Sequence, residues 1–274
     1  MTTWMIISGV RPLSNDPKSL NIAVLGTGRM GQELMRAIAR NDQFRLTSVW
    51  SRKKVSTDDE IVVSDDLAAV LSASDVAIDF SLPDATPQVL EAVLAAGKPL
   101  VIGVSGLEAA ALDALDDASQ NVPVLYDRNM SLGIATLDRL VRGAAIDLGA
   151  GFEAEIHETH HVNKKDAPSG TALKLGASLA DARQQDFESV SEFDPAGLKR
   201  PLAPGQIGFE VTREGQVPGE HTVVLHSDSE RLELKHVALS RRVFADGALR
   251  AAQWLLSQPP GLYSMRDLLF QRSA

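Results

Sequence analysis

One hexapeptide limits what this chain can fold into more than any other feature. Gly26-Thr27-Gly28-Arg29-Met30-Gly31 lies between an apolar run, Ile22–Leu25, and an amphipathic stretch, Arg29–Arg40, with Leu34 and Ile38 at helical spacing. A G-x-G-x-x-G that ends a strand and opens a helix is the phosphate-binding turn of dinucleotide-binding domains. Gly26 permits the tight turn, Gly28 lets backbone approach a pyrophosphate, and Gly31 allows close helix–strand contact. The helix start adds N–H donors and partial positive charge. An ordinary strand-to-helix turn is the bland alternative, and a longer strand–helix series argues against it. Phe44–Trp50, Val76–Phe80, Leu100–Ile102 and Val122–Tyr126 read as further strands, with a helix starting near Pro83. Alternation of this kind predicts an α/β fold: a mostly parallel sheet with helices on both faces.

The end of the second strand bears on which dinucleotide is preferred. About 20 residues past the glycines, where an acid would hold the ribose of NAD, the chain reads Ser51-Arg52-Lys53-Lys54. A hydroxyl and three cations suit a 2′-phosphate, so Ser51 and Arg52 join Gly26–Gly31 as expected cofactor contacts. NADPH is the expected preference, with NADH possible. A solvated charge run is the alternative reading.

Composition narrows the partners. The net charge is −9, so broad attraction to nucleic acid or an anionic membrane is not expected, and any anion must be held locally. Cysteine is absent, which excludes disulfides, thiolate metal sites and Cys nucleophiles. The apolar run Trp4–Val10 is far below the ~20 residues needed to span a bilayer. Residues 1–19 read as an extension broken by Pro12, Asn15, Asp16 and Pro17. The expected location is the cytoplasm.

After about residue 130 the pattern changes. Ile134, Leu137, Val141, Ala144 and Leu148 form a helical stripe, Phe152–Glu158 alternates as a strand, and Thr171–Ala182 reads as helix. Residues 185–205 look irregular. Gly208–Thr212, His221–His226 and Arg231–Leu239 read as strands, and Ala245–Leu256 as a last helix ended by Pro259-Pro260. A second, α+β region with a mixed or antiparallel sheet is expected.

That region holds the densest cluster of reactive side chains: three of the six histidines fall within five residues, at His157, His160 and His161. His157, Glu158 and His161 spell the zinc-protease motif H-E-x-x-H, which requires a helix. On the strand expected here, residues four apart are ~13 Å apart, so no metal is assigned. Downstream, Asp166–Thr171 resembles a helix entry with Pro168 in its first turn. Ser169, Gly170 and Thr171 offer N–H and hydroxyl donors to a carboxylate, and Lys164 adds a positive charge. His160 and His161 can donate hydrogen bonds or transfer protons near neutral pH.

The segment His160-His161-x-x-Lys164-x-Asp166-Ala167-Pro168-Ser169-Gly170-Thr171-Ala172 resembles the signature of the dihydrodipicolinate reductase family. Ile102–Gly106, Asp127–Met130, Val217–Thr222 and Phe244–Arg250 fit as well, so the likeness runs from about residue 20 to 270. It implies a Rossmann-type dinucleotide-binding domain from residues 1–129 and 241–274, with a substrate-binding and tetramerisation domain over 130–240. It implies NAD(P)H-dependent reduction of dehydrated 4-hydroxy-tetrahydrodipicolinate to tetrahydrodipicolinate in lysine and diaminopimelate biosynthesis by a homotetramer. His160 matches the proton donor/acceptor and Lys164 the proton donor. His161, Gly170 and Thr171 match substrate contacts. Gly103, Val104 and Ser105, with Asp127, Arg128, Asn129 and Met130, match the nicotinamide lining. The chain departs from the family at Val104-Ser105, where two threonines are usual, and at Met130, where an aromatic is frequent. Another two-domain carboxylate reductase would share the glycine loop without needing the His–Lys–Ser–Gly–Thr segment. A nucleotide-sensing regulator would need no proton donors.

Overall fold

A computed structural model describes residues 19–53, 60–193 and 202–269. The apolar run at 4–10, the breakers at 12–17, Lys54, Pro195 and Pro201 lie outside these residues. The chain divides into two compact units, residues 1–131 with 241–274, and residues 132–240.

The first unit alternates strands and helices: β1 (Leu20–Leu25), α1 (Arg29–Ala39), β2 (Phe44–Trp50), β3 (Val62–Ser64), α2 (Leu67–Ser72), β4 (Val76–Asp79), α3 (Thr86–Ala96), β5 (Leu100–Ile102), α4 (Ala109–Ser119) and β6 (Pro123–Tyr126). After the second unit the chain returns with α8 (Arg242–Leu255), β12 (Gly261–Tyr263) and α9 (Met265–Leu269). The seven strands run in the order β12-β6-β5-β4-β1-β2-β3, with every pairing parallel. This is the doubly wound Rossmann arrangement with one added edge strand, and its order reverses beside β1, where ligands of such sheets bind. Val76, Ala77, Ile78, Leu100, Val101 and Ile102 are all fully buried, as expected for central parallel strands covered on both faces. Helices α2, α3 and α4 pack on one face, and α1 and α8 on the other.

The second unit comprises α5 (Leu132–Leu148), β7 (Glu153–His160), α6 (Gly170–Ala182), α7 (Phe187–Val190), β8 (Ser191–Phe193), β9 (Ile207–Arg213), β10 (Glu220–His226) and β11 (Arg231–Val237). Its sheet runs β11-β10-β7-β9-β8 and is mixed: β10 is antiparallel to both neighbours, whereas β7, β9 and β8 are parallel. Along β7 alternate residues are buried, and Ala154 and Ile156 meet Leu137 and Val141 of α5 and Leu175 and Leu179 of α6 in one apolar core.

The sequence reading needs correction at three places. Residues 185–205 are not irregular throughout, because α7 and β8 form there, with Phe187 and Phe193 packed on Phe209. The helix expected at Ala245 begins at Arg242, and it is not the last, since β12 and α9 follow. The short elements β3, α2 and α4 carry too few periodic residues to stand out; α4 is an alanine- and aspartate-rich stretch with only three buried positions.

Candidate active site

In the first unit the glycine loop closes against the end of β4. Gly26 has φ of +93°, and a Cβ there would stand 2.8 Å from the Ser81 Cα. At Gly31 a Cβ would stand 2.0 Å from the Gly26 carbonyl oxygen, so only glycine permits this turn of α1 to touch β1. Around Gly28 the position of a Cβ meets nothing within 4 Å. Gly28 is also the N-cap of α1, and no side chain caps the helix. Open space in front of uncapped first-turn N–H groups fits the pyrophosphate of a dinucleotide.

Ser51 and Thr27 place their hydroxyls 3.2 Å apart, joining the β2 end to the loop. Arg52 and Lys53 are exposed beside them, and Arg29 and Met30 occupy the exposed or half-buried first turn of α1. At the end of β5, a Cβ on Gly103 would collide with the Phe80 ring; Val104 is buried and Ser105 exposed. In the next segment the side chains of Asp127 and Met130 do structural work. The Asp127 carboxylate accepts the Met265 and Asn129 amides, each at 3.3 Å, and Met130 is only 1% exposed. Arg128 is exposed and Asn129 half-buried, with Asn129 accepting the Ser131 amide.

Sequence reading missed Asp79. It is fully buried at the end of β4, one oxygen accepts the Ser81 N–H at 2.7 Å, and the other has no partner. Burial pushes its carboxyl up to about 6, with the hydrogen bonds from Ser81 pulling the other way. An aspartate at the end of an otherwise apolar run was the signal.

In the second unit strand register assembles the other cluster. His221 of β10 pairs with Glu158 of β7, and Arg213 of β9 pairs with His160. His160, Glu158 and His221 are all buried. Both Glu158 oxygens receive the Ser169 N–H, at 3.1 Å each, and Oε1 also receives both terminal nitrogens of Arg213 at 3.1 Å. Ser169 caps α6 by accepting the Ala172 N–H, and its hydroxyl lies 3.2 Å from His221 Nε2. The Ser169 amide and hydroxyl are therefore engaged inside the protein. The first-turn amides at Gly170 and Thr171 are the cradle that α6 offers.

Lys164 reaches Asp166 at 2.8 Å. Burial works upward on the Asp166 carboxyl, but the hydrogen bond and charge of Lys164, followed by Arg213, hold it below its usual range. The same cations act on His160: burial first, then Lys164 and Arg213, lower it to about 4. Burial, followed by His160, lowers His221 to about 3. Both imidazoles are thus neutral at pH 7. His161 is half-buried, and its amide donates to Val217.

β7 carries His157 and Glu158 in a strand that ends at His160, so His157 and His161 do not share a helical turn, and extended spacing of ~13 Å separates residues four apart. Glu158, His160 and His221 do place ligand-type atoms within 4.8 Å of one another. There the Glu158 carboxylate is already neutralised by the Arg213 guanidinium, and Lys164 stands close to His160, so a divalent cation would face like charge. The cluster is an ion-paired hydrogen-bond network. Glu158, Arg213 and His221 escaped sequence reading as a group; an acid on the core-facing parity of an alternating strand was the available sign.

Comparison with known proteins decides the family. The profile described as dihydrodipicolinate reductase, N-terminus, matches residues 20–130, and that of the C-terminus matches residues 133–269. The chain belongs to the dihydrodipicolinate reductase family. As a member it is an oxidoreductase that uses a nicotinamide dinucleotide. It is 43% identical over 253 residues to 4-hydroxy-tetrahydrodipicolinate reductase of Sulfurimonas denitrificans, covering 91% of this chain and 99% of that protein. The corresponding Wolinella succinogenes enzyme is 44% identical over 252 residues, covering 90% and 98%. Among solved structures, a dipicolinate-bound dihydrodipicolinate reductase from Paenisporosarcina sp. TG-14 superposes with a TM-score of 0.74 at 22% identity, covering 90% of this chain and 97% of that one. At that identity the superposition speaks for the family's fold.

Proposed function

We propose that the chain reduces dehydrated 4-hydroxy-tetrahydrodipicolinate to tetrahydrodipicolinate in diaminopimelate and lysine biosynthesis. The observation that carries this reading is the second-unit cluster: a buried neutral His160 among Lys164, Arg213 and the opening turn of α6. A local cationic, amide-bearing site is what a small diacid needs in a protein of net charge −9.

Gly26–Gly31 hold the dinucleotide at its pyrophosphate, with Ser51 and Arg52 at the adenosine ribose. Gly103–Ser105 and the backbone of Asp127–Met130 line its nicotinamide end. When bound, the reduced dinucleotide supplies a hydride. The hydride acceptor, a conjugated imine, then requires a proton. A dianion held against Lys164 and Arg213 offsets the cations that depress His160. The imidazole therefore gains a proton as substrate binds and passes it to the reduced ring. Lys164 is the other candidate source of that single proton, and its ammonium also stabilises a substrate carboxylate. Gly170 and Thr171 hold the other carboxylate through helix-terminal amides, assisted by His161. Ser169 shapes the cradle as the cap of α6.

The cationic Ser51-Arg52-Lys53 stretch favours NADPH over NADH, because no acid stands there to repel a 2′-phosphate. Exposed Leu232 and Val237 on edge strand β11, together with exposed Phe193, support burial between subunits in a homotetramer. No helix among the described residues is long and apolar enough to cross a membrane; a cytoplasmic location gives the enzyme its reduced dinucleotide. Steady-state kinetics at the reduced-nicotinamide absorbance band, with freshly generated substrate and NADPH or NADH side by side, test the reading. Substrate-dependent oxidation is expected, and its absence with both nucleotides overturns the assignment.

A further inference from the structure

A buried carboxylate in the second unit has no place in the chemistry above. The Glu158 side chain has no exposure to solvent. Isolated, such a charge would be very costly to bury; here Arg213 and the Ser169 amide compensate it. Of these four hydrogen bonds, three fall on Oε1 and the fourth brings the Ser169 amide, at the cap of α6, to Oε2. The remaining edge faces imidazole: Oε2 lies 3.6 Å from His160 Nδ1 and 3.7 Å from His221 Nε2. His160 Nδ1 is itself buried and makes no hydrogen bond, so Glu158 Oε2 is the acceptor standing in front of an unsatisfied ring nitrogen.

The opposite edge of the ring is arranged differently. Position 219 is glycine, and a Cβ there would stand 3.0 Å from His160 Nε2. The chain therefore keeps side-chain atoms away from Nε2 while presenting a carboxylate to Nδ1.

We propose that Glu158 is a positioning residue: its carboxylate, locked by Arg213 and the Ser169 amide, holds His160 as the tautomer protonated on Nδ1 and leaves Nε2 to exchange protons with substrate. A carboxylate can only accept, so it selects the ring form that donates from Nδ1. A hydrogen bond to the nitrogen remote from the chemistry is the general way in which a histidine's tautomer is set. The same carboxylate grips Ser169, so one group fixes both the proton-transferring ring and the opening of the diacid cradle. The catalytic consequence rests on the role given to His160 under Proposed function; the tautomer itself does not.

Glu158→Gln separates these effects. The carboxamide oxygen can still serve Arg213 and the Ser169 amide, whereas the amide nitrogen that replaces Oε2 donates towards His160. The full-length protein labelled with ¹⁵N-histidine, with His160→Gln identifying the His160 signals, reports the tautomer by NMR at pH 7.5 without substrate. Wild type is expected to show a protonated Nδ1 and a pyridine-like Nε2 at His160, and Glu158→Gln to shift the population towards the Nε2-protonated form. In kinetics, kcat is expected to fall at least tenfold while the dissociation constant for the probe pyridine-2,6-dicarboxylate changes less than threefold. An Nε2-protonated His160 in the wild type overturns the proposal even if the variant fails to fold. So does weakened dicarboxylate binding with an unaltered tautomer, which would mark Glu158 as merely structural. If the expected tautomer is found in a protein that reduces no cyclic imine diacid, the positioning inference stands and the functional reading fails.

Discussion

The hydroxyl of Thr27 lies 3.2 Å from that of Ser51, which ties the glycine loop to the end of β2 at the junction proposed above to meet the adenosine ribose. Ser51→Glu puts a carboxylate on this junction. It is expected to reduce kcat/KM for NADPH at least tenfold, about 1.4 kcal/mol, while NADH use is kept or improved. Paired kinetics with the two nucleotides measure the switch. An undiminished preference for NADPH would show that this segment does not read the ribose.

Two glycines of one loop are expected to fail in opposite ways. Gly28→Ala meets no atom within 4 Å, so the protein should melt within a degree or two of wild type while dinucleotide affinity falls roughly tenfold or more. Gly31→Ala drives a methyl to within 2.0 Å of the Gly26 carbonyl. Its cost is expected in the 1–3 kcal/mol range typical of overpacking, ~2 kcal/mol, visible as a lowered melting temperature before any ligand is added. Thermal unfolding and nucleotide titration of both variants distinguish the two effects.

His160→Gln should lower kcat by roughly 10²–10⁴, the usual contribution of a proton-transfer group, with little change in KM. On the roles proposed for it, Lys164→Ala should lower kcat and raise KM together, through the loss of a proton source and of a cation for the diacid. Rates equal to wild type in both variants would remove these residues from the mechanism.

Stability should depend on pH through groups of opposite sign. His160 is lowered from 6.5 to about 4 and His221 from 6.5 to about 3. Below pH 6.5 the unfolded chain therefore binds protons that the folded protein does not, and these groups remove stability as pH falls. Asp79 is raised from 3.8 to about 6, so the folded protein holds a proton that the unfolded chain has lost, and stability is regained as pH falls through 6. Relative to His160→Gln, wild type should lose up to about 1.4 kcal/mol per pH unit between pH 6.5 and 4. Relative to Asp79→Asn, it should be less stable at neutral pH and recover below pH 6. Denaturant unfolding of the three proteins at pH 8, 6 and 5 checks both signs.

Local pattern made much of this protein legible. The glycine hexapeptide between an apolar run and a helical stripe located β1, the turn and α1, and the alternation of Phe152–Glu158 placed β7 and ruled out a helical zinc motif. These signals survive in one dimension because the forces behind them act between residues a few positions apart. Other features depend on register between strands distant in sequence. Nothing in the chain order links Glu158 with Arg213, 55 residues on, or with His221; β9 and β10 flank β7 and bring both beside it. The depressed His160 follows from the same convergence, because burial and the charges of Lys164 and Arg213 exist only once the sheet has formed. Residue types and short-range periodicity settled which chemistry was present, whereas packing settled which groups meet, which are spent on structure, and which proton each one holds.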